Sequence, residues 1–143
     1  MTTRLSDADK LALAAAYSRA SATNNADALR SLSAPNAVTW HNFDEVEVTT
    51  EQTIRTIGWL HRTVDDLHWI DVSVQATATG WVSQSILAGA APGGALRAHS
   101  CVVVTLDEQG KVVRTDEYLD PAQLAVLSRP RATPTAGETS ATS

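Results

Sequence analysis

The fold of this chain is decided by the segment 110–120, GKVVRTDEYLD, near its C-terminal end. Its residues alternate with the period of two that is typical of a β-strand, so that successive side chains point to opposite faces. The two rows are Val113, Thr115, Glu117 and Leu119 on one face, and Arg114, Asp116 and Tyr118 on the other. The first row places the Glu117 carboxylate among apolar and hydroxyl side chains, where burial would disfavour its ionised form. The segment therefore predicts a strand that presents a single candidate acid or base.

Three more strands are predicted immediately before this segment. Together with 112–119, the stretches 69–78, 81–88 and 96–106 form a meander, because each is rich in β-branched or apolar residues and is followed by a turn signal. On the strand 96–106 the more apolar row is expected to pack beneath helices; it consists of Ala98, Ser100, Val102, Val104 and Leu106. His99 then lies on the opposite, outer face.

The N-terminal half predicts three helices and one strand. Ser6 is positioned to cap the first helix, and residues 27–32 form a short second one. The stretch 37–43, AVTWHNF, has the composition of a strand. Thr49 and Gln52 have the spacing of a capping box and open the third helix. This order of elements, completed by a short helix after Pro121, predicts an α+β domain.

Length and composition indicate one globular domain over residues 1–128, followed by a tail. The chain has 143 residues, of which 43% are hydrophobic and 19% charged, as in ordinary globular proteins. Residues 129–143, RPRATPTAGETSATS, have no apolar pattern and are predicted to be disordered.

Charge and cysteine content exclude several classes of function. A net charge of −5 argues against nucleic-acid partners, whose phosphates favour a basic surface. A single cysteine excludes an intrachain disulfide, and no Cys/His cluster suggests a metal. The acidic residues Asp44, Glu45 and Glu47 are interpreted as a solvated loop edge. The N-terminus has no leader-like apolar stretch, and no segment is long enough to span a membrane, so a cytoplasmic location is expected.

Four pieces of the chain resemble the SnoaL-like branch of the NTF2-like superfamily. They are the first helix with Tyr17, the stretch 34–42 (APNAVTWHN), the helix after Thr49, and the segment 110–120. The resemblance covers nearly all of the predicted domain. It implies a cone in which N-terminal helices pack on a curved antiparallel sheet and enclose a pocket, as in ketosteroid isomerase-like and limonene-epoxide-hydrolase-like proteins.

The resemblance also implies roles for particular residues. Glu117 matches the carboxylate that acts as general acid or base without a cofactor, and Asn42 would hold a substrate oxygen. Trp40 and Asn42 would point into the pocket and His41 away from it, unless a bulge shifts the register. The substrate-binding candidates are Trp40, Tyr17, Trp81, Ile57 and Leu60. His41 and His99 remain further candidates, and no metal ligands are assigned.

Departures from the family patterns narrow the chemistry. The epoxide hydrolases use an arginine and an aspartate on the middle strand, but the matching stretch 81–88, WVSQSILA, carries no charge. The resemblance thus favours a cofactor-independent cyclase or isomerase of a polyketide-derived or terpenoid molecule, acting as a homodimer. The alternatives are a non-catalytic small-molecule-binding or dimeric adaptor domain, and a divergent epoxide hydrolase.

Overall fold

Two capping boxes begin the longer helices of the protein, whose computed structural model describes residues 4–128. The Ser6 hydroxyl accepts a hydrogen bond from the Asp9 amide at 3.0 Å, and the Asp9 carboxylate accepts one from the Ser6 amide at 3.1 Å. Thr49 and Gln52 make the same reciprocal pair at the third helix. Each box satisfies amides that the first helical turn leaves without a partner. Both predicted helix starts are confirmed.

Helices and strands follow in the order that the sequence predicts, with one short strand added. The helices are α1 (Asp7–Ala22), α2 (Ala26–Leu32), α3 (Thr50–Thr63) and α4 (Ala125–Ser128), the last preceded by a 3₁₀ turn over Pro121–Leu124. The strands are β1 (Ser33–His41), β2 (Glu47–Thr49), β3 (Asp65–Ala76), β4 (Gly80–Ala91), β5 (Gly94–Leu106) and β6 (Val112–Leu119). β1 begins and ends earlier than the predicted 37–43, and β2 lies where a loop edge was expected.

The strands form one six-stranded mixed sheet in the order β2-β1-β6-β5-β4-β3. The meander β3 to β6 is antiparallel throughout, as its short turns require. β1, however, runs parallel to β6. No hairpin constrains this pair, because α3 and the strands β2 to β5 separate β1 from β6 in the chain. The α+β class is therefore confirmed, whereas the sheet is mixed rather than wholly antiparallel, and it is not closed.

Helices cover one face of the sheet, called here the inner face; the other is the outer face. At one end, Ala14 of α1 packs with Trp81, Val104 and Val112, and we call this the α1 cluster. At the other end, Val64, Ala91, Leu96 and Ala98 pack with α4, and we call this the α4 cluster. A third group, Ala20, Leu29 and Ile57, holds the helices to one another. The predicted inner row of β5 is confirmed by Val104 and Ala98.

Lys10 joins α1 to the turn between β3 and β4. It is 6% exposed, and its ammonium group donates hydrogen bonds to the carbonyl oxygens of Thr77, at 2.7 Å, and Ala78, at 3.2 Å. A buried cation is tolerated when such partners replace water. Lys10 therefore sets the position of α1 over the sheet. The predicted tail 129–143 lies outside the described residues.

Candidate active site

Glu117 lies on the inner face, at the centre of the sheet. Across the strands it faces Val102 of β5 and His41 of β1, and residues opposite each other share a face. Thr115, two residues earlier on the same face, is buried at 7% exposure. The Glu117 side chain itself keeps 27% exposure, so this part of the helix-covered face remains open to water.

Two neighbouring side chains hold the Glu117 carboxylate. The Ser100 hydroxyl donates a hydrogen bond to Oε2 at 2.7 Å. His41 Nε2 lies 3.4 Å from Oε1, with the histidine side chain 22% exposed. The hydrogen bond to Glu117 raises the pKa of His41; partial burial opposes the shift, and the charges of Glu117 and Asp44 add to it. His41 therefore carries a proton to higher pH than an ordinary histidine does.

The order of these groups decides which chemistry they can perform. In a nucleophilic triad the histidine bonds to the serine and the carboxylate bonds to the histidine. Here Glu117 lies between Ser100 and His41, and both contacts are made to its carboxylate. Ser100 is thus a positioning group rather than an activated nucleophile. The arrangement suits general acid–base catalysis by a carboxylate paired with an imidazole.

Tyr17 approaches the same site from α1. It packs against the α1 cluster, and its ring centroid is 6.4 Å from that of Trp81. Burial raises the pKa of Tyr17 to about 12, and the nearby negative charge of Glu117 adds to the shift. The phenol therefore stays protonated at neutral pH and can act only as a hydrogen-bond donor or acceptor, not as a phenolate base.

The expected orientations of Trp40 and His41 are wrong. In the β1–β6 register Trp40 faces Asp116 and His41 faces Glu117, so His41 points to the inner face. Trp40 lies on the outer face, where its ring meets that of Tyr118 edge-on at 5.5 Å. Alternation divides a strand into two rows but does not say which row is inner. That choice depends on the register of β1 with β6. The resemblance had implied the opposite choice, with Trp40 in the inner row.

Asn42 lies just beyond the end of β1 and is exposed. Its amide oxygen accepts a hydrogen bond from the Leu119 backbone at 2.9 Å, and its own backbone amide donates to the Glu117 carbonyl at 3.1 Å. Asn42 thus ties the end of β1 to the backbone of β6 at Glu117 and Leu119. This contact positions the His41–Glu117 pair, while the proposed hold on a substrate oxygen stays a prediction.

The other predicted binding residues are spread over the molecule. Trp81 is 3% exposed in the α1 cluster, and Ile57 is 8% exposed between helices, so both are packed in the core. Leu60 is partly buried on α3. His99 is on the outer face as expected; its ring and backbone contact the Gln123 side chain.

Ser100 is the site residue that the sequence reasoning missed. The available signal was one hydroxyl in the otherwise apolar inner row of β5, close to the position of Glu117. Within residues 4–128, no group of three or more histidine, cysteine or acidic side chains is arranged to hold a metal ion. In the same part of the chain, no helix combines the length and apolar character needed to cross a membrane.

Solved structures share this arrangement of helices and sheet. A protein of Jannaschia sp. CCS1 named as a SnoaL-like polyketide cyclase superimposes with a TM-score of 0.72 at 17% identity, covering 87% of this chain and 95% of its own. Other neighbours carry the names of a ketosteroid isomerase-like fold and further SnoaL-like cyclases. The chain has the NTF2-like fold.

Proteins with the NTF2-like fold that resemble this chain carry different activities in their names. AclR of Streptomyces galilaeus, named as a hydroxylase, has a TM-score of 0.73 at 16% identity, with 85% of this chain and 96% of its own covered. A limonene-epoxide-hydrolase-like enzyme of M. tuberculosis has a TM-score of 0.66 at 13% identity, with coverage of 82% and 86%. No protein-family model and no curated protein matches the sequence. At these sequence identities the similarity to the solved structures concerns the fold, and the function has to be inferred from the residues of the site.

Proposed function

We propose that this protein is a cofactor-independent cyclase or isomerase that moves a proton within a hydrophobic small molecule, polyketide-derived or terpenoid. The observation that carries the proposal is the Glu117 carboxylate, held by Ser100 and His41 on the helix-covered face. An ion pair that only stabilises the surface would not need to lie beneath helices. A base that removes a proton from carbon benefits from this position, because partial exclusion of water strengthens its interaction with the reacting group.

In the proposed reaction Glu117 removes a proton from carbon next to a substrate carbonyl, and the electron pair moves onto the carbonyl oxygen. The neutral Tyr17 phenol donates a hydrogen bond to that oxygen as charge develops. The proton then returns from Glu117 to a different atom of the substrate. Alternatively, the enolate carbon attacks a second carbonyl to close a ring, and the resulting alkoxide takes the proton from Glu117. His41 steadies the carboxylate while its charge changes.

A hydrophobic ketone with acidic α-hydrogens, 2-tetralone, serves as a test substrate. We expect the protein to accelerate exchange of these hydrogens for deuterium in heavy water, measured by NMR. Glu117→Gln should lower the protein-dependent rate by about 10²–10⁴-fold, the usual contribution of a general base. The matched control is Asp116→Asn, one residue away on the outer face, which should retain the rate. A Glu117→Gln rate equal to that of the wild type contradicts the proposal.

An alternative function is that of a non-catalytic binding domain or dimeric adaptor. Apolar side chains on the outer face, where Val72 is 60% exposed and Tyr118 47%, suit the dimer contact that both the adaptor and the proposed enzyme would need. We propose that this face joins two copies of the chain. Sedimentation velocity should then give a dimer, and Val72→Glu should shift it towards the monomer, whereas Leu11→Glu, on the exposed part of α1, should not. A monomeric wild type contradicts the dimer.

A divergent epoxide hydrolase is the weakest alternative. The inner-facing side chains of β4 from Trp81 to Leu87 are apolar or hydroxyl-bearing, so no charged group on this strand joins Glu117. Incorporation of labelled oxygen from water into the product of an epoxide would support it.

A further inference from the structure

A row of polar side chains continues from Glu117 across the inner face to the edge of the sheet. The strand registers set Ser100 of β5 opposite Ser85 of β4, and Ser85 opposite Asp71 of β3. At the other end His41 faces Glu117. We call these five residues the polar row. It crosses five of the six strands on the face that the helices cover.

The polar row lies between the two apolar clusters of the inner face. Two residues beyond Ser100 in one direction is Ala98 of the α4 cluster, and in the other direction Val102 packs against the α1 cluster. Members of the row are nevertheless accessible to solvent: Ser85 and Ser100 are partly exposed, and Asp71 is exposed. The row therefore separates the two apolar clusters with polar side chains that a ligand can reach.

Stability of the fold does not require the polar row. A sheet face beneath helices gains free energy from apolar burial, and polar groups there contribute little unless they find partners. Ser100 and His41 each have Glu117 as a partner. Within residues 4–128, the side chains of Ser85 and Asp71 have no hydrogen-bond or ion-pair partner. Their hydrogen-bonding capacity is free for a ligand.

We propose that Ser85 and Asp71 determine substrate specificity by binding a second polar group, at the end of the substrate remote from Glu117. Neighbouring strands are about 4.8 Å apart, so β4 lies roughly 10 Å and β3 roughly 14 Å from β6. The substrate is then an elongated molecule of two or three fused rings. Its reacting carbonyl lies at Glu117, and a hydroxyl or other hydrogen-bond donor lies at Asp71. Apolar ring faces meet the clusters on either side.

This inference rests on the proposed function for the end of the substrate that reacts, but binding can be tested without turnover. The probes are 2,6-dihydroxyanthraquinone, with hydroxyls at both ends, and 2-hydroxyanthraquinone, with one. Quenching of tryptophan fluorescence gives their dissociation constants. We expect the wild type to bind the dihydroxy probe about fivefold more tightly, the effect of one net hydrogen bond.

Substitutions in the row should remove this preference. Ser85→Ala and Asp71→Asn are expected to bring the ratio of the two dissociation constants towards one, whereas Ser85→Thr, which keeps a hydroxyl, should retain it. Gln84→Ala is the matched control, because Gln84 precedes Ser85 on β4 and points to the outer face. A substitution that only disturbs the structure would weaken the binding of both probes equally and leave the ratio of their dissociation constants unchanged.

Three outcomes would overturn the inference: equal binding of the two probes by the wild type, no binding of either, or a ratio unaffected by Ser85→Ala and Asp71→Asn. The deuterium-exchange test of Glu117 is separate, because it uses a ketone without the second polar group. Exchange that depends on Glu117, together with equal binding of the probes, would leave the proposed function standing and remove only the role of the row. If deuterium exchange does not depend on Glu117 but the wild type still prefers the dihydroxy probe, the proposed function fails and the role of the row stands.

Discussion

Replacement of His41 and Glu117, singly and together, measures the contact on which the proposed site depends. The variants are His41→Gln, Glu117→Gln and the double variant. In each, urea unfolding is followed by tryptophan fluorescence, for which the chain has four tryptophans. The double-mutant cycle isolates the free energy of interaction between the two side chains.

The expected magnitude follows from the geometry. Nε2 and Oε1 are 3.4 Å apart, and the two side chains are 22% and 27% exposed. Opposite unit charges at that separation attract by about 1.2 kcal/mol in water and about 5 kcal/mol at an effective dielectric constant of 20. Desolvation and side-chain ordering oppose this attraction. We expect an interaction free energy of about 1–2 kcal/mol at pH 5.5.

The pH dependence has a definite sign. Because the hydrogen bond to Glu117 raises the pKa of His41, the folded state holds the proton more tightly than the unfolded chain. The added stability is complete below the unfolded pKa of about 6.5 and is lost as the pH rises through the higher folded value. At pH 8.5 only a hydrogen bond from the neutral imidazole, worth about 0.5 kcal/mol, should remain. An interaction free energy equal at the two pH values, or larger at pH 8.5, would refute the ion pair.

Two further predictions concern buried polar groups. Lys10→Met should lower the free energy of unfolding by about 1–3 kcal/mol, because two carbonyl oxygens of the β3–β4 turn lose the buried ammonium group that donates to them; Lys111→Met, an exposed control, should cost less, and equal losses would contradict the role of burial. A stopped-flow pH jump should show a tyrosinate absorbance step at about pH 12 that Tyr17→Phe removes and Tyr118→Phe retains; persistence of that step in Tyr17→Phe would contradict the assignment.

Local patterns of sequence were sufficient for most of the secondary structure. The caps at Ser6 and Thr49 depend on residues three positions apart, and the strands of the meander depend on alternation and turns, so neighbours in the chain determine both. Glu117 was predicted from the match of 110–120 to the family pattern, and alternation within this segment agreed with that assignment. Its position on the inner face agrees with that prediction.

The partners of Glu117 could not be obtained in this way. Ser100 lies on another strand, and its contact with Glu117 depends on the register of β5 against β6. The error at Trp40 and His41 has the same origin, since a shift of one residue between β1 and β6 exchanges the two faces. The resemblance predicted that Trp40 lies in the inner row of β1. The pairing of β1 with β6 instead places His41 in that row.

The sequence by itself determined the α+β class, the helix starts, the meander and the row of β6 that carries Glu117, because each follows from spacing within a short stretch of chain. Tertiary structure alone decided that β1 runs parallel to β6, that His41 rather than Trp40 meets Glu117, and that the polar row crosses the sheet. These features arise where strands distant in sequence pair side by side. Their register is set by the packing of the whole sheet against the helices, which no local pattern encodes.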